Sequence, residues 1–222
     1  MPEGSAKDRM IDAAFALFEE RGYDQTTVED ITDRAQVGRT TFFRTFRSKE
    51  DVIFPDRDAL LSAIEARLAG SSQETALVAV TDAARLVLRH YLAEGDLALA
   101  RYRLTRGVPA LRAREIAGLQ RYQRLFREFL HGWMGRTPET ALKAELMAAG
   151  VVTAHNHVLR RWLRGVTSAP EAEFEAALTE TVDLFTARPA GHGDDAIVVF
   201  RTSRDLDAVL PALRGILGEP HR

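Results

Sequence analysis

Apolar residues along this chain recur at helical spacing, and glycines, prolines and capping residues punctuate them. Ile11, Ala14, Phe15 and Phe18 fall at i, i+3, i+4 and i+7, one stripe of an amphipathic helix that Arg21 and Gly22 bring to an end. Thr26-Thr27-Val28-Glu29 has the form of a capping box, with Thr26 accepting from the first turn and Glu29 reaching back. It predicts a short helix to about Arg34 with Val28, Ile31 and Ala35 inward. Gln36-Val37-Gly38 reads as a tight turn in which the glycine takes the left-handed backbone. Arg39 to Phe46 is the next helix, weighted by Phe42, Phe43 and Phe46, and Ser48 caps another that Pro55 breaks.

Beyond Gly70-Ser71-Ser72 the spacing predicts a helix over 74–93 and a short one bounded by Gly95 and Gly107-Val108-Pro109. A long helix follows, carrying Leu119, Tyr122, Phe126, Phe129, Leu130 and Trp133. Two more span about 139–163 and 170–187, the last with Phe174, Leu178, Val182 and Phe185 as its stripe. Residues 196–200 are β-prone and 205–217 again helical. The pattern is that of an all-α protein with a short strand–helix tail.

Composition narrows the chemistry. The 222 residues are 45% hydrophobic and 28% charged, as in a globular protein, and contain no cysteine. Disulfides, thiol nucleophiles, thiol redox sensing and Cys-ligated metals are therefore excluded. There is no run of 18 apolar residues and no apolar core in MPEGSAKDRMIDAAF, so neither a membrane span nor a secretory signal is expected, and the protein is placed in the cytoplasm.

A net charge of −2 argues against nucleic acid only as an average. Residues 34–49 hold five basic side chains (Arg34, Arg39, Arg44, Arg47, Lys49) and no acid, whereas residues 1–33 hold nine acids and three bases. A helix, a short turn and a basic second helix describe a helix-turn-helix, and a major groove admits one such helix. Arg39, Thr40, Thr41 and Arg44 lie in and beside its first turn, where side chains meet base edges. Thr27 and Lys49, at the starts of the flanking helices, are placed where phosphates pass.

The stretch AAFALFEERGYDQTTVEDITDRAQVGRTTFFRTFRSKEDVI resembles the N-terminal signature of the TetR family of bacterial transcriptional regulators. The likeness covers residues 10–53, about a fifth of the chain, in order, spacing and residue type across four helices. It implies an all-α homodimer, with a helix-turn-helix three-helix domain over 1–50 and a larger helical ligand-binding and dimerisation domain over 51–190. A C-terminal extension over 191–222 lies beyond the usual family end, and caps the domain, exchanges with a partner or stays mobile. The implied activity is repression of a palindromic operator, relieved by a small ligand. Phe43 stands where the family usually has a phosphate-binding Tyr, Phe42 is bulkier than the usual aliphatic, and Gln36 replaces a small residue. The TTFFR variant and the Arg-rich C-terminal part are most similar to actinobacterial members.

Within the larger domain the family packs its last two long helices as a four-helix bundle. Leu146, Val152, Phe174, Leu178, Val182 and Phe185 are then candidates for the dimer interface, with intramolecular core the competing reading. Tyr91, Tyr102, Tyr122, Phe126, His155 and Trp162, aromatic or polar among apolar neighbours, are candidates for the pocket. Arg101, Arg103, Arg106, Arg121, Arg124 and Arg127 suggest an anionic effector such as an acyl-CoA or a carboxylate. His155 and His157 diverge by about 200° on a helix and cannot share a metal. No nucleophile elbow, P-loop or dinucleotide fingerprint is present, so no enzyme activity, catalytic residue, metal or cofactor is expected. Two alternatives stay open: a helical small-molecule binding protein or enzyme that retains a DNA-binding-like domain, and a transcriptional activator.

Overall fold

Ser5 opens the first helix through a reciprocal cap. Its hydroxyl accepts from the Asp8 backbone at 3.2 Å, and the Asp8 carboxylate accepts from the Ser5 N–H at 3.0 Å. In the computed structural model this helix, α1 (Ala6–Arg21), buries Met10, Ile11, Ala14, Leu17 and Phe18, and stops at Gly22, whose φ of 86° suits glycine. The structure describes residues 4–54, 57–72 and 76–186, all within the unit Met1–Thr186. The tail strand and helix expected from the sequence lie outside the described residues.

α2 (Val28–Ala35) begins one residue later than the capping-box reading placed it. Thr27 is the cap, and its partner is Asp30, whose carboxylate accepts from the Thr27 N–H at 2.8 Å. Hydrogen bonds from Thr27, then from Arg21, hold the Asp30 carboxyl at about 2. Thr26 is buried instead, its hydroxyl donating to the Gly22 carbonyl at 2.9 Å. Val28, Ile31 and Ala35 face the core as expected.

The turn also differs in detail. Gln36, not Gly38, takes the left-handed conformation (φ 53°, ψ 48°), while Gly38 is extended. The Val37 N–H bonds the Thr32 carbonyl at 3.0 Å and the Gln36 N–H bonds Asp33 at 3.2 Å, which satisfies the last carbonyls of α2. A residue with a Cβ pays for this conformation. Gln36→Gly should therefore raise stability by roughly 0.5–1 kcal/mol in chemical denaturation; unchanged or lower stability would show that Gln36 is held without strain.

α3 (Arg39–Thr45) and α4 (Lys49–Ile53) complete the N-terminal group. Ser48 precedes α4 but makes no side-chain cap; the Asp51 carboxylate accepts from the Arg47 N–H instead, at 3.0 Å. Then follow α5 (Arg57–Ala69), α6 (Ala76–Glu94), α7 (Asp96–Gly107), α8 (Pro109–Trp133), α9 (Pro138–Leu163) and α10 (Pro170–Thr186). Prolines sit in the first turns of α8 and α9, where a missing N–H costs nothing. No helix among the described residues is long and apolar enough to cross a membrane.

Two apolar cores organise these helices. One gathers α5, α6, the later part of α8, α9 and α10 around Ile64, Leu88, Leu130, Met147, Val158 and Phe174. The other holds α1 to α4 together, and it includes Leu111 of α8, with Leu97, Leu104 and Val108 packed against it. A single helix, α8, thus has Leu111 in one core and Tyr122, Phe126 and Leu130 in the other. At 1.5 Å per residue these anchors begin about 17 Å apart.

Candidate nucleic-acid interface and effector cavity

Phe42 and Phe46, four residues apart, face inward from α3 and are almost fully buried. That fixes the helix by one edge and turns Arg39, Thr40, Phe43 and Arg44 outward, with Thr41 half-buried at the margin. The three phenylalanines expected as apolar weight thus divide, and Phe43 is 46% exposed. The Arg39 guanidinium lies 5.5 Å from the Phe43 ring centroid, a cation–π contact that holds it beside the outward face. Among the described residues neither Arg39 nor Arg44 forms an ion pair, so both charges stay available to an anionic partner. Arg34, by contrast, is paired with Glu20 at 2.6 Å.

The two flanking candidates have internal duties. The Thr27 hydroxyl donates to Asp30 at 2.6 Å while capping α2. The Lys49 ammonium donates to the carbonyls of Tyr23 at 2.7 Å and Thr26 at 2.8 Å, and lies 4.0 Å from the Tyr23 ring centroid. One of its three protons remains for a phosphate. Lys49 thereby ties the α1–α2 turn to the start of α4, a link that spacing alone did not show. The Tyr23 hydroxyl donates to Glu50, and burial, then that carboxylate, pushes it above its ordinary range.

A second set of contacts joins this group to the larger core. Arg101 of α7 is 5% exposed. Its Nε donates to the Ile53 carbonyl at 2.6 Å, and its two terminal nitrogens grip the Glu94 carboxylate at 2.7 and 2.6 Å. Burial works against its charge, but the Glu94 hydrogen bonds together with the attraction of Glu94 and nearby acidic groups outweigh that and raise its pKa. Arg114 of α8 pairs with Asp51 of α4. The sequence marked Arg101 for an anionic ligand; the structure gives all three of its donor nitrogens to protein acceptors. Arg106 contacts the Tyr102 hydroxyl, Arg121 lies 3.6 Å from Asp58, and Arg127 pairs with neighbouring Glu128 at 3.6 Å. These arginines do not converge on one cavity.

Two small cavities lie between the helices and meet at Leu119 and Tyr122. The first is lined by Phe54, His90, Tyr91, Glu94, Arg101 and Glu115 among others, and the second by Ala84, Val87, Phe126, Val151, Val152 and His155. Each offers about 20 Å³, room for one water. Of the sequence candidates, Tyr91, Tyr122, Phe126 and His155 are brought together here. Tyr102 is not: its hydroxyl accepts from Arg164 at 3.0 Å on the surface. Trp162 packs half-buried at the edge of the core and lines neither cavity.

His155 is the buried imidazole of the second cavity. Its Nδ1 faces Asn156 Oδ1 at 3.3 Å, and its Nε2 has no hydrogen-bond partner. Burial lowers its pKa from 6.5 to about 4. His157, two residues on, is exposed on the other side of α9. Between these pH values the unfolded chain takes a proton that the folded chain refuses, so stability falls as pH drops from 6.5 towards 4. The loss attributable to His155 should reach about 3 kcal/mol. His155→Phe should flatten the fall in Tm over this window; parallel profiles for the two proteins would contradict the buried neutral imidazole.

The residues expected for a dimer interface divide between core and surface. Phe174 and Leu178 are 1% and 2% exposed within a single chain, locked in the core by contacts of α10 with α9 and α6. Val152 lines the second cavity, and Val182 and Phe185 are half-buried. Leu146 is exposed as an interface residue should be, and Leu142 and Leu184, which the stripe omitted, are exposed more fully. Gly150 brings α9 and α10 together, since a Cβ there would meet the Thr181 methyl at 2.9 Å.

Residues 10–55 match the family model described as bacterial regulatory proteins, tetR family. The HTH-type transcriptional regulator TcmR of Streptomyces glaucescens is 31% identical over 185 residues, which are 78% of this chain and 80% of that protein. The fold is similar to that of a TetR-family transcriptional regulator from Syntrophomonas wolfei, with a TM-score of 0.60 at 17% identity over 84% of this chain and 98% of that one. It is also similar to Thermus thermophilus FadR, a TetR-family repressor solved with lauroyl-CoA, with a TM-score of 0.50 at 21% identity over 90% of this chain and 98% of that one.

Proposed function

Because the chain belongs to the TetR family of transcriptional regulators, which are not enzymes, we propose that it is a homodimeric repressor released from a palindromic operator by a small molecule. The observation that carries the DNA reading is the outward face of α3. Arg39 and Arg44 are exposed without ion pairs among the described residues, on a helix seated by Phe42 and Phe46. Arginine reads guanine bidentately, and Thr40 and Thr41 add hydroxyls and methyls for neighbouring bases. Thr27, Phe43 and the free proton of Lys49 border the same face, where the DNA backbone runs. Two copies related by a two-fold axis would set two such helices into successive major grooves. Exposed Leu142, Leu146 and Leu184 on α9 and α10 supply the apolar surface for that pairing.

Release follows from the helix that enters both cores. The two cavities of about 20 Å³ cannot hold an effector as they stand, so one enters them only when α8 moves against α6 and α9. Leu111 and Arg114 ride on the same helix and grip the α1–α4 group, and Arg101 lines the first cavity while holding the end of α4. A ligand that prefers the opened arrangement then lowers DNA affinity by coupling. In FadR the bound molecule is an acyl-CoA; here Arg101 is already neutralised by Glu94, and an anionic head group finds no free cation in either cavity.

The test is a mobility shift with genomic fragments, including DNA upstream of the protein's own gene, followed by adding back compounds that co-purify with the protein. A retarded specific fragment that a co-purifying compound frees is the expected result. Binding no tighter than to random DNA contradicts it.

A further inference from the structure

The second cavity has a property that its position alone does not explain. Its walls are Ala84 and Val87 from α6, Leu119, Tyr122 and Phe126 from α8, and Val151 and Val152 from α9, an almost wholly apolar set. Into this lining α9 places an imidazole, His155, that is 5% exposed and has a nitrogen with no partner. A buried acceptor without a partner costs stability, and an apolar side chain of similar shape avoids that cost. A ring with one nitrogen tethered and the other unsatisfied suits a site that a ligand completes.

The tether sets which hydrogen bond is missing. Asn156 Oδ1 is an acceptor, so Nδ1 of the neutral ring carries the proton and donates to it at 3.3 Å. Nε2 is then a bare lone pair that needs a donor. Charge around the site selects further. The neighbouring cavity carries His90, Glu94, Arg101 and Glu115, with the Arg101 guanidinium and the Glu94 carboxylate already bound to each other. A carboxylate ligand brings only acceptors and would not supply the donor. The rings of Tyr91 and Phe174 flank His155 at centroid distances of 6.2 and 5.8 Å and hold the imidazole in place, while Tyr122 and Phe126 give the cavity aromatic walls for a flat apolar body.

We propose that the effector is an uncharged, largely apolar molecule whose hydroxyl or N–H donates a hydrogen bond to Nε2 of His155 in the cavity between α6, α8 and α9. This deepens the ligand-release reading and rests on it for the word effector and for the movement of α8 that opens the cavity, but the binding class stands on the residues that line it.

Three probes of one shape separate the classes: 2-naphthol, its methyl ether 2-methoxynaphthalene, and the anion 2-naphthoate, titrated into the full chain by calorimetry. The hydroxyl compound should bind about tenfold tighter than the ether, and the carboxylate weakest. Naphthol should also shift the ¹⁵N resonance of His155 Nε2 while the ether does not. In His155→Phe, and in His155→Leu as a second variant, the preference for naphthol over its ether should vanish, with folding checked by Tm. Equal affinities in the wild type, a preference that survives both variants, tightest binding of naphthoate, or no binding of naphthol overturns the assignment, and leaves His155 a core residue satisfied by a buried water. DNA release is scored separately. A His155-dependent naphthol preference without DNA release supports the assignment and counts against the ligand-release reading alone.

Discussion

Arg101→Ala should destabilise the protein by about 3–5 kcal/mol, the cost of leaving a buried charge uncompensated. Glu94 would lose both of its charge-assisted hydrogen bonds, and the Ile53 carbonyl would lose its donor. In a domain of this size that is a fall in Tm on the order of 10 °C. A structural clamp of this kind has a second signature. Arg101→Met combined with Glu94→Gln removes both charges together, and should recover much of the lost stability. The double variant would still lack the bond to the Ile53 carbonyl that ties α7 to the end of α4. We therefore expect it to fold and bind DNA, yet respond less to an effector. If Arg101→Ala were as stable as the wild type, the link between the cavity and the DNA-reading group would have to lie elsewhere.

Arg39→Ala combined with Arg44→Ala should abolish specific DNA binding. Each arginine is worth about 1–3 kcal/mol of discrimination when it reads a guanine. A dimer carries both substitutions twice, so the expected loss is at least about a thousandfold in affinity, measured by fluorescence anisotropy at fixed salt. Stability should hardly change, since neither side chain is buried and neither forms an ion pair among the described residues. A normal melting curve with lost binding is the pattern that distinguishes a reading residue from a structural one. Specific binding that survived the double substitution would remove α3 from the role assigned to it.

The N-terminal helices were legible because their signals are local. The stripe of α1, the glycine stop at Gly22 and the basic run of α3 depend on residues within a few positions of one another. Where local signals tie, the sequence reading slipped. Thr26–Glu29 and Thr27–Asp30 are equally good capping boxes, and the choice falls to Thr27 because Thr26 is spent on the Gly22 carbonyl. The left-handed turn residue is not local in this sense either, since Gly38 has the right chemistry but Gln36 has the right position.

The larger domain was less legible because its meaning lies in partners far apart in the chain. Periodicity put Phe174 and Leu178 on one face of α10 but said nothing of what that face meets, and it meets α9 and α6. Arg101 stood out as a charge, yet its acceptors lie in α6 and at the end of α4. A trace was present: Glu94 and Arg101 are opposite charges separated by the Gly95 break. Tyr91, Tyr122, Phe126 and His155 line the two small cavities, and they stand out in the sequence as aromatic or polar groups set among apolar neighbours. Leu111 carried no such mark, and its place in the core of the DNA-reading group follows only from the path of α8.

The central claim is that two copies of α3 read a symmetric site, and hydroxyl-radical footprinting on the specific fragment tests it most directly. Two equal patches of protection are expected on one face of the duplex, their centres about one helical turn or a whole multiple of it apart, and both lost with Arg39→Ala and Arg44→Ala. A single patch, unbroken protection along the fragment, or a footprint unchanged in that double variant would contradict it.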